Sequence, residues 1–497
     1  MTKNLNTTNE KKVSNVDKKE LDLTNQKNKY KTEKKIMLQQ SKKMSKEAKK
    51  FAKQQRNAES KFKFTQMQGL TFKLAEIAKE QTYLDFAWHK LDNSALIYPA
   101  ISYENNALFR LSVTLNIEVD PETLQRALND VVPRFPTMTS TLRAGLFWYY
   151  LDSPSYPVMV KEETELPCRP FKMDRRHALV RVLYRKYEII AEFFHATTDG
   201  TGGLSFLNTL VATYLRHCGY VIADRTNAPH SKDLPRHEEL IDSTQGASND
   251  GEKAVEHIKA LHLIGERLPK DYVIHRKAIC DASKLKEASK KYNCTISQFL
   301  SACAVASIKK HCDLTLNKDK KPIRICVPCN LRQIFGGTTY RNFTSYIYAT
   351  YADGTFEELI EHIKGDFDKQ LNKEYFQRMI NYNVSAQKHL LMRLAPLPFK
   401  NIALKMAYRM FGSNLNTYTL SNLGLIKAPK EFEEFVVRYE FCLGEIFGIG
   451  VSTYNNLTAI TFSTMLKDTL FEREFVKILD ENNIPLCIET VYGGEIK

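Results

Sequence analysis

The 497-residue sequence has no uninterrupted apolar run of about 18 residues, the length that a membrane-spanning helix requires. Its N-terminus also lacks the short apolar segment of a secretory signal. The ten cysteines are scattered along the chain, without the density of a disulfide-stabilised scaffold. Together these absences predict a cytoplasmic protein in a reducing compartment, with any membrane contact confined to the periphery of the bilayer.

Motifs typical of several kinds of chemistry are missing as well. The sequence contains neither the GxSxG motif of a serine nucleophile nor a P-loop for phosphates. The CxxC spacing occurs once, at Cys326 and Cys329, and no second ligand pair lies at a distance typical of zinc sites. Since both cysteines lie in the apolar run IRICVPCN, we interpret them as strand residues. The sequence therefore predicts no metal site and no bound cofactor.

The formal charge of +15 is concentrated at the N-terminus. Residues 1–63 contain 19 Lys and Arg residues against 7 Asp and Glu, a net +12, so the rest of the chain is nearly neutral. We expect residues 1–80 to form a basic arm, largely disordered or partly helical, because it has too few apolar residues to build a core. The alternative to a solvated tail is a weak contact with an anionic membrane or another polyanion. No RNA-binding motif points to a specific nucleic acid.

Beyond the arm, strand-like and helix-like patterns are mixed in both halves of the chain, which predicts an α/β fold. Residues 85–225 and 257–497 form two predicted lobes, joined by a polar, turn-rich linker at 226–256. In the first lobe, Asp120 followed by Pro121 is typical of a helix start.

Long helices are predicted in the second lobe over residues 355–376 and 386–411. The second of these comes closest to a long apolar run, but Pro396 and Pro398 interrupt it. It admits two interpretations. One is a helix packed on the body of the protein, and the other is a surface for an apolar substrate or a membrane.

The most informative segment is AEFFHATTDGTGGLSFL, in which His195 is followed four residues later by Asp199 and Gly200. Residues 178–184 and 187–194 predict a β-hairpin whose second strand ends just before this histidine. A side chain at the end of a strand can face a cleft, and an imidazole, which titrates at about 6.5 in model compounds, can act as a general base. By itself, however, the HxxxD spacing more often marks a structural histidine.

Further segments occur in the order expected for a known superfamily. The helix-then-strand segment LQRALNDVVPRFPTMTSTLR spans 124–143, VPCNLR at 327–332 precedes RNF at 341–343, and LSNLGLIKAP spans 420–429. Together with HxxxDG they resemble the chloramphenicol acetyltransferase-like superfamily, which includes condensation domains, and within it the alcohol acetyltransferases. The opening WHKLDNSALIYPAI, at 88–101, is similar to the start of the clostridial alcohol acetyltransferase-like proteins.

The resemblance implies a two-lobed fold with a tunnel between the lobes and His195 midway along it. It implies that His195 is the general base, whereas Asp199 anchors the active-site loop through an arginine. Arg134 is the best positional match for this arginine, and Arg332 is the second.

Two smaller groups complete the candidate site. The glycines of the active-site loop are expected to permit its bend and a close backbone approach, with a plain helix start as the alternative for the last of them: Gly200, Gly202 and Gly203. Three residues of LSNLG are candidates for the tunnel wall and for binding an oxyanion, with a structural strand-end turn as the alternative: Ser421, Asn422 and Gly424.

The function that the resemblance implies is acyl transfer from acyl-CoA to an alcohol, forming an ester. Acyl-CoA is then a co-substrate, and a chain with both lobes is expected to be a complete, monomeric catalytic unit. Condensation domains usually carry a second histidine directly before the catalytic one, so Phe194 at this position favours the O-acyltransferase. The alternatives are an N-acyltransferase or condensation enzyme that uses a carrier-protein thioester, and a catalytically silent binding or scaffold protein.

Overall fold

The computed structural model describes residues 88–101, 107–253, 256–269, 272–411, 414–444 and 447–491. These residues fall into two compact units. Of the described residues, Trp88, His89 and 154–157 belong to the first unit, and all the others belong to the second. The predicted basic arm, residues 1–80, lies outside the described residues.

A five-stranded sheet forms the core of the N-terminal half. Its strands are, in spatial order, β12 (Val436–Leu443), β2 (Leu108–Leu115), β7 (Glu188–Phe194), β6 (Val180–Arg185) and β5 (Val160–Glu162). Strand β5 is parallel to β6, and the other neighbours are antiparallel. The β6–β7 pair confirms the predicted hairpin. Because β7 is hydrogen-bonded on both sides and almost wholly buried, the strand that ends at the candidate histidine is firmly held.

A seven-stranded sheet forms the core of the C-terminal half. Strand β11 is parallel to both of its neighbours, and the remaining pairs are antiparallel. The spatial order is β10 (Thr344–Thr350), β9 (Arg324–Asn330), β11 (Tyr418–Leu425), β13 (Phe447–Tyr454), β14 (Leu457–Thr464), β8 (Ile274–Asp281) and β15 (Cys487–Val491).

Three shorter strands also lie among the described residues: β1 (Trp88–Lys90), β3 (Thr141–Ala144) and β4 (Tyr149–Asp152), of which β3 and β4 are antiparallel neighbours. The α-helices of the described residues are α1 (Tyr98–Ile101), α2 (Pro121–Val131), α3 (Gly200–His217), α4 (His237–Leu240), α5 (Ser243–Ala247), α6 (Ala282–Lys291), α7 (Ile296–Leu314), α8 (Arg332–Phe335), α9 (Phe356–Gln370), α10 (Lys373–Lys388), α11 (Leu390–Leu394), α12 (Leu397–Phe411) and α13 (Leu470–Glu481).

Helix α3 is buried along most of its length and packs against α2 and the five-stranded sheet. Helix α2 begins where the sequence predicts, because the Asp120 side chain accepts a hydrogen bond from the N–H of Thr123 at 2.8 Å. These two helices cover one face of the sheet and fix the direction in which α3 leaves β7.

The two long helices predicted in the C-terminal half are each broken. The first becomes α9 and α10, since the Asn372 side chain accepts a hydrogen bond from the N–H of Tyr375 and starts a new helix. The second becomes α11 and α12, with the break at Pro396, whose ring disfavours a helical conformation in the residue before it. Within the described ranges, no helix is long and apolar enough to cross a membrane.

Strand β12 connects the two sheets. The chain leaves the large sheet after β11, runs as β12 beside β2 in the small sheet, and returns as β13. At the return, Gly450 of β13 lies against the backbone of Phe441, and a Cβ atom at position 450 would be 2.0 Å from the Phe441 carbonyl oxygen. Since backbone atoms cannot move aside as a side chain can, this position has no room for any residue larger than glycine.

The first prediction concerns this contact. The substitution Gly450→Ala is expected to lower the free energy of unfolding by about 1–3 kcal/mol or more, because the added methyl group must push β13 away from the backbone of β12, which belongs to the other sheet. Urea unfolding followed by circular dichroism measures the change.

The matched control is Gly365→Ala in the middle of α9, where an added Cβ meets nothing within 4 Å. There the same methyl group should stabilise the protein by about 0.5–1 kcal/mol, because alanine loses less backbone entropy in a helix. Equal effects of the two substitutions would show that the strand contact does not constrain the fold.

Candidate active site

The HxxxDG segment forms the tight connection between β7 and α3. The N–H of His195 donates to the carbonyl oxygen of Ala107 at 2.8 Å, which continues the pairing of β7 with β2 by one residue. Asp199 is the N-cap of α3, and its Oδ1 accepts from the N–H of Gly202 at 3.1 Å. A cap of this kind satisfies one of the free N–H groups of the first helical turn. The local sequence thus places His195 between a held strand and a capped helix.

The carboxylate of Asp199 is buried and forms a two-pronged ion pair with Arg332. Nη1 and Nη2 of the arginine lie 2.8 and 3.2 Å from the two carboxylate oxygens. Oδ2 also accepts from the N–H of Phe343 at 2.9 Å and from the hydroxyl of Thr344 at 3.1 Å. Burial by itself would raise the pKa of Asp199, but the Arg332 charge and these hydrogen bonds outweigh it and lower that pKa. The carboxylate is therefore ionised at neutral pH.

The guanidinium of Arg332 has an acceptor for each of its N–H groups. Besides the two bonds to Asp199, Nη1 donates to Asn330 Oδ1, Nη2 to the Arg341 carbonyl and Nε to the Thr339 carbonyl, at 2.6 to 3.2 Å. A lysine has three donors on a single atom and could not hold these groups in the same plane. The pair therefore ties the start of α3 to the segment between β9 and β10.

The structure corrects the expected partner of Asp199. Arg134, the first choice from the sequence, forms two 2.8 Å hydrogen bonds with Glu239, and both side chains are buried. Glu239 lies on α4, inside the predicted linker. The positional match selected Arg134 because it ends a helix early in the chain. Only the packed fold shows that Arg332, the second choice, lies next to Asp199.

Asn342 determines which nitrogen of His195 carries a proton. Nδ2 of Asn342 donates to the His195 carbonyl at 2.9 Å and to Oδ2 of Asp92 at 3.2 Å. This leaves Oδ1 of the amide facing Nδ1 of the imidazole, at 3.0 Å. An amide oxygen can only accept a hydrogen bond, so Nδ1 is the protonated nitrogen. The lone pair of the neutral ring is then on Nε2, where it can accept a proton from another molecule.

Asp92 holds the amide of Asn342 in this orientation. It is fully buried, its Oδ1 accepts from the N–H of Ala95 at 2.7 Å, and Nε of Arg341 lies 3.5 Å from its Oδ2. Burial raises the pKa of Asp92 to about 6, although the Arg341 charge acts in the opposite direction. Above that pH the carboxylate is ionised and accepts from Asn342; below it, the proton competes for the same oxygens. No role could be assigned to Asn342 from the sequence. Its position in the RNF segment, which the superfamily resemblance includes, was the one feature that could have pointed to it.

The imidazole of His195 is half-buried in the wall of a cavity of about 910 Å³. The ring of Tyr98 stacks on it with 4.7 Å between centroids, and the edge of Phe109 approaches at 5.2 Å. A cavity of this volume can hold a small-molecule ligand. Its wall is made largely of aromatic and small polar side chains from both sheets and from α10 to α12, among them Thr344, Tyr346, Tyr348, Thr417, Thr419, Phe447, Tyr382, Met392, Leu404 and Tyr408.

The three glycines lie in the first turn of α3 rather than in a loop bend. Close approach accounts for Gly202, where a Cβ would lie 2.3 Å from the Tyr340 carbonyl oxygen. A Cβ at Gly203 would lie 2.8 Å from the ring of Phe109, and one at Gly200 would lie 2.9 Å from a Leu423 methyl group. Glycine at these positions thus leaves room for neighbouring atoms. All three residues also lie at the start of a helix, which is the alternative interpretation given for Gly203.

The LSNLG candidates lie on β11. Asn422 donates to Ser297 Oγ at 3.1 Å and accepts from the N–H of Gly424 at 2.8 Å, while Gly424 has a positive φ of 68°. None of Ser421, Asn422 and Gly424 is among the described residues that line the cavity, whereas Thr417 and Thr419, which precede them in the chain, are. Their assignment to a tunnel wall or an oxyanion site therefore stays a prediction.

Comparison with known structures identifies the fold. The first condensation domain of the calcium-dependent antibiotic synthetase is 12% identical, with a TM-score of 0.53 over 80% of this chain and 99% of that one. TRI101 of F. sporotrichioides, complexed with coenzyme A and T-2, is 11% identical, with a TM-score of 0.52 over 81% and 99%. A variant of the starter condensation domain of rhizomide synthetase RzmA, in complex with C8-CoA and Leu-SNAC, is 13% identical, with a TM-score of 0.51 over 80% and 94%.

These similarities confirm the predicted α/β, two-lobed chloramphenicol acetyltransferase-like fold. Residues 272–482, less than half of the chain, match the model of the alcohol acetyltransferase family. The resemblance inferred from the sequence is therefore confirmed over the C-terminal half, and the match supports an acyltransferase. No curated protein matches the chain.

The second prediction concerns the buried ion pair. Asp199→Asn should destabilise the protein by about 3–5 kcal/mol, because it leaves the Arg332 charge buried without a counter-ion. A double-mutant cycle with Arg332→Gln should show a coupling of about 0.5–3 kcal/mol in denaturant unfolding. Since the pKa of Asp199 is lowered, this stabilisation should persist at neutral pH and be lost only as the pH falls below about 4.

The control cycle pairs Asp199→Asn with Arg134→Gln. The two effects should add, because Arg134 bonds to Glu239 and not to Asp199. Coupling in the control cycle, or additivity in the first, would contradict the observed pairing.

Proposed function

We propose that this protein is an acyl-CoA-dependent O-acyltransferase that forms an ester, with His195 as the general base. The observation that carries the proposal is the orientation of His195 in the cavity wall. Asn342 accepts from Nδ1, so Nε2 has the lone pair that a general base needs. The match to the alcohol acetyltransferase family supports the choice of an alcohol as acceptor.

In the proposed reaction, Nε2 removes the proton of the acceptor hydroxyl as its oxygen attacks the thioester carbonyl. The tetrahedral intermediate collapses with cleavage of the C–S bond, and the protonated imidazole returns the proton to the departing CoA thiolate. The ester and the free thiol of CoA are the products. The Nδ1 bond to Asn342 keeps the ring in one tautomer throughout, so the same nitrogen takes and returns the proton.

Asp199 takes no part in proton transfer in this mechanism. Its carboxylate bonds to Arg332, Phe343, Thr344 and Gly202, and it acts as a positioning residue. Ser421, Asn422 and Gly424 remain our candidates for binding the oxyanion or the substrate, which would require Asn422 to exchange its bond to Ser297 for one to the substrate.

The third prediction tests the reaction itself. Thiol release from a panel of acyl-CoAs should depend on an added alcohol, because His195 activates the acceptor rather than forming an acyl-enzyme. Initial rates should give intersecting double-reciprocal lines, and mass spectrometry should detect no acylated protein. Parallel lines with a trapped acyl-enzyme would contradict the mechanism. Turnover with amines or with a carrier-protein thioester, but not with alcohols and acyl-CoA, would favour the condensation alternative.

The fourth prediction concerns His195. Its replacement in His195→Ala should lower kcat by about 10²–10⁴, the usual effect of removing a general base, while the thermal unfolding midpoint stays close to that of the wild type. Steady-state kinetics and thermal unfolding of the same preparation provide the two measurements.

The matched control is His262→Ala. His262 also lines the cavity, but its Nε2 lies 3.1 Å from Asn414 Oδ1 and is already engaged. This variant should keep most of its turnover. Similar losses in both variants, or an active His195→Ala protein, would remove His195 from its proposed role.

A further inference from the structure

Large apolar side chains are exposed on both α11 and α12. The three on α12, Phe399, Ile402 and Met406, are spaced three and four residues apart and therefore share one face of the helix. Five side chains are between 58% and 67% exposed: Leu390, Leu394, Phe399, Ile402 and Met406. We call these five residues the apolar helix face.

The loop between β3 and β4 extends this surface. The N–H of Leu397 donates to the Leu146 carbonyl at 2.9 Å, and Nζ of Lys400 donates to the Phe147 carbonyl at 2.8 Å. Lys400 is itself buried and lies 3.3 Å from the centroid of the Trp148 ring. The loop is thus fastened to α12 while the Leu146 side chain stays exposed. A surface that is fastened in place and still apolar is typical of an interaction site.

The chain segment that carries the apolar helix face has charged residues of one sign only. Residues 375–430 contain no Asp or Glu and eight Lys and Arg. Of these, Lys388 and Arg393 are exposed; Lys388 is two residues before Leu390 in the chain, and Arg393 directly precedes Leu394. Exposed apolar residues flanked by cations on a short amphipathic helix pair are typical of segments that lie in the headgroup region of a bilayer.

The same helix also forms part of the cavity wall. Ala403, Leu404, Ala407 and Tyr408 of α12 line the cavity that contains His195. The exposed apolar residues and a part of the cavity wall therefore lie on the same four turns of α12. A partner that binds the apolar helix face would lie within one helix diameter of the cavity.

We propose that the apolar helix face and the Leu146 loop dock on an anionic lipid bilayer, with α11 and α12 lying along its surface. An anionic bilayer is favoured as the partner because its charge is opposite to that of the cationic segment that carries the face. A second copy of the chain would bring one cationic surface against another, and residues 1–63, with a net charge of +12, would also be repelled. Interfacial binding is consistent with the lengths of α11 and α12, five and fifteen residues, too short to span a bilayer. This proposal does not depend on the proposed catalytic function.

The first experiment measures flotation of the full-length protein with vesicles of phosphatidylcholine, with and without phosphatidylglycerol. The triple variant Phe399→Gln, Ile402→Gln, Met406→Gln should bind the anionic vesicles about tenfold more weakly or worse, because three apolar side chains no longer enter the bilayer. The matched triple variant Val221→Gln, Leu234→Gln, Leu371→Gln changes apolar residues that are also more than half exposed, and it should bind like the wild type.

Both triple variants keep residues 1–63, so any lipid binding by that basic segment is the same in each. If the Phe399 triple variant floats as well as the wild type, the basic segment alone accounts for binding and the proposal is wrong. If this variant instead dissociates an oligomer in analytical ultracentrifugation, a second copy is the occupant and the proposal is again wrong.

The second experiment locates the contact. The indole introduced by Phe399→Trp should shift its emission to shorter wavelength on adding anionic vesicles and should be quenched by brominated acyl chains. The indole introduced by Leu371→Trp, on the segment between α9 and α10, should show neither effect. An indole at position 399 that vesicles leave unchanged, or that is already shielded before vesicles are added, would overturn the proposal.

Discussion

The buried ion pair between Asp199 and Arg332 is the contact on which the rest of the site depends. One carboxylate caps α3, binds both terminal nitrogens of Arg332 and accepts from the N–H of Phe343. Asp199 and α3 belong to the N-terminal half, whereas Arg332 and Phe343 lie in the segment between β9 and β10. Because an isolated charge of either sign would be costly at this depth, the two halves are held in one relative position.

The position of His195 follows from this contact in two steps. Phe343 is held by Asp199, so its neighbour Asn342 is placed beside the imidazole, where Asp92 turns the amide so that its oxygen faces Nδ1. The ring is then confined by Tyr98 and Phe109. A histidine oriented by an amide differs from one oriented by a carboxylate, because the neutral amide fixes the tautomer without stabilising the protonated ring by a full charge.

Helix α12 carries both a part of the cavity wall and three residues of the apolar helix face. Helix α12 begins directly after a proline. Its exposed face carries large apolar residues, whereas the exposed face of a helix in a soluble protein ordinarily carries charged ones. An apolar exposed face costs solubility, so its presence beside the cavity is explained if a lipid surface covers it. Under the proposed function, apolar substrates would then be concentrated in the bilayer next to the site.

The sequence by itself determined the α/β class, the hairpin that ends at His195, the capped start of α2 and the resemblance to the acyltransferases. These features depend on residues close together in the chain, where periodicity and capping act directly. It also named both arginines but ranked them wrongly, and it gave Asn342 no role. The tertiary structure decided those points, because the contacts join residues 133 and 147 positions apart and β12 crosses between sheets. Contacts between residues so far apart leave no pattern in the local sequence, because the packing of the whole chain decides which arginine lies next to a given carboxylate.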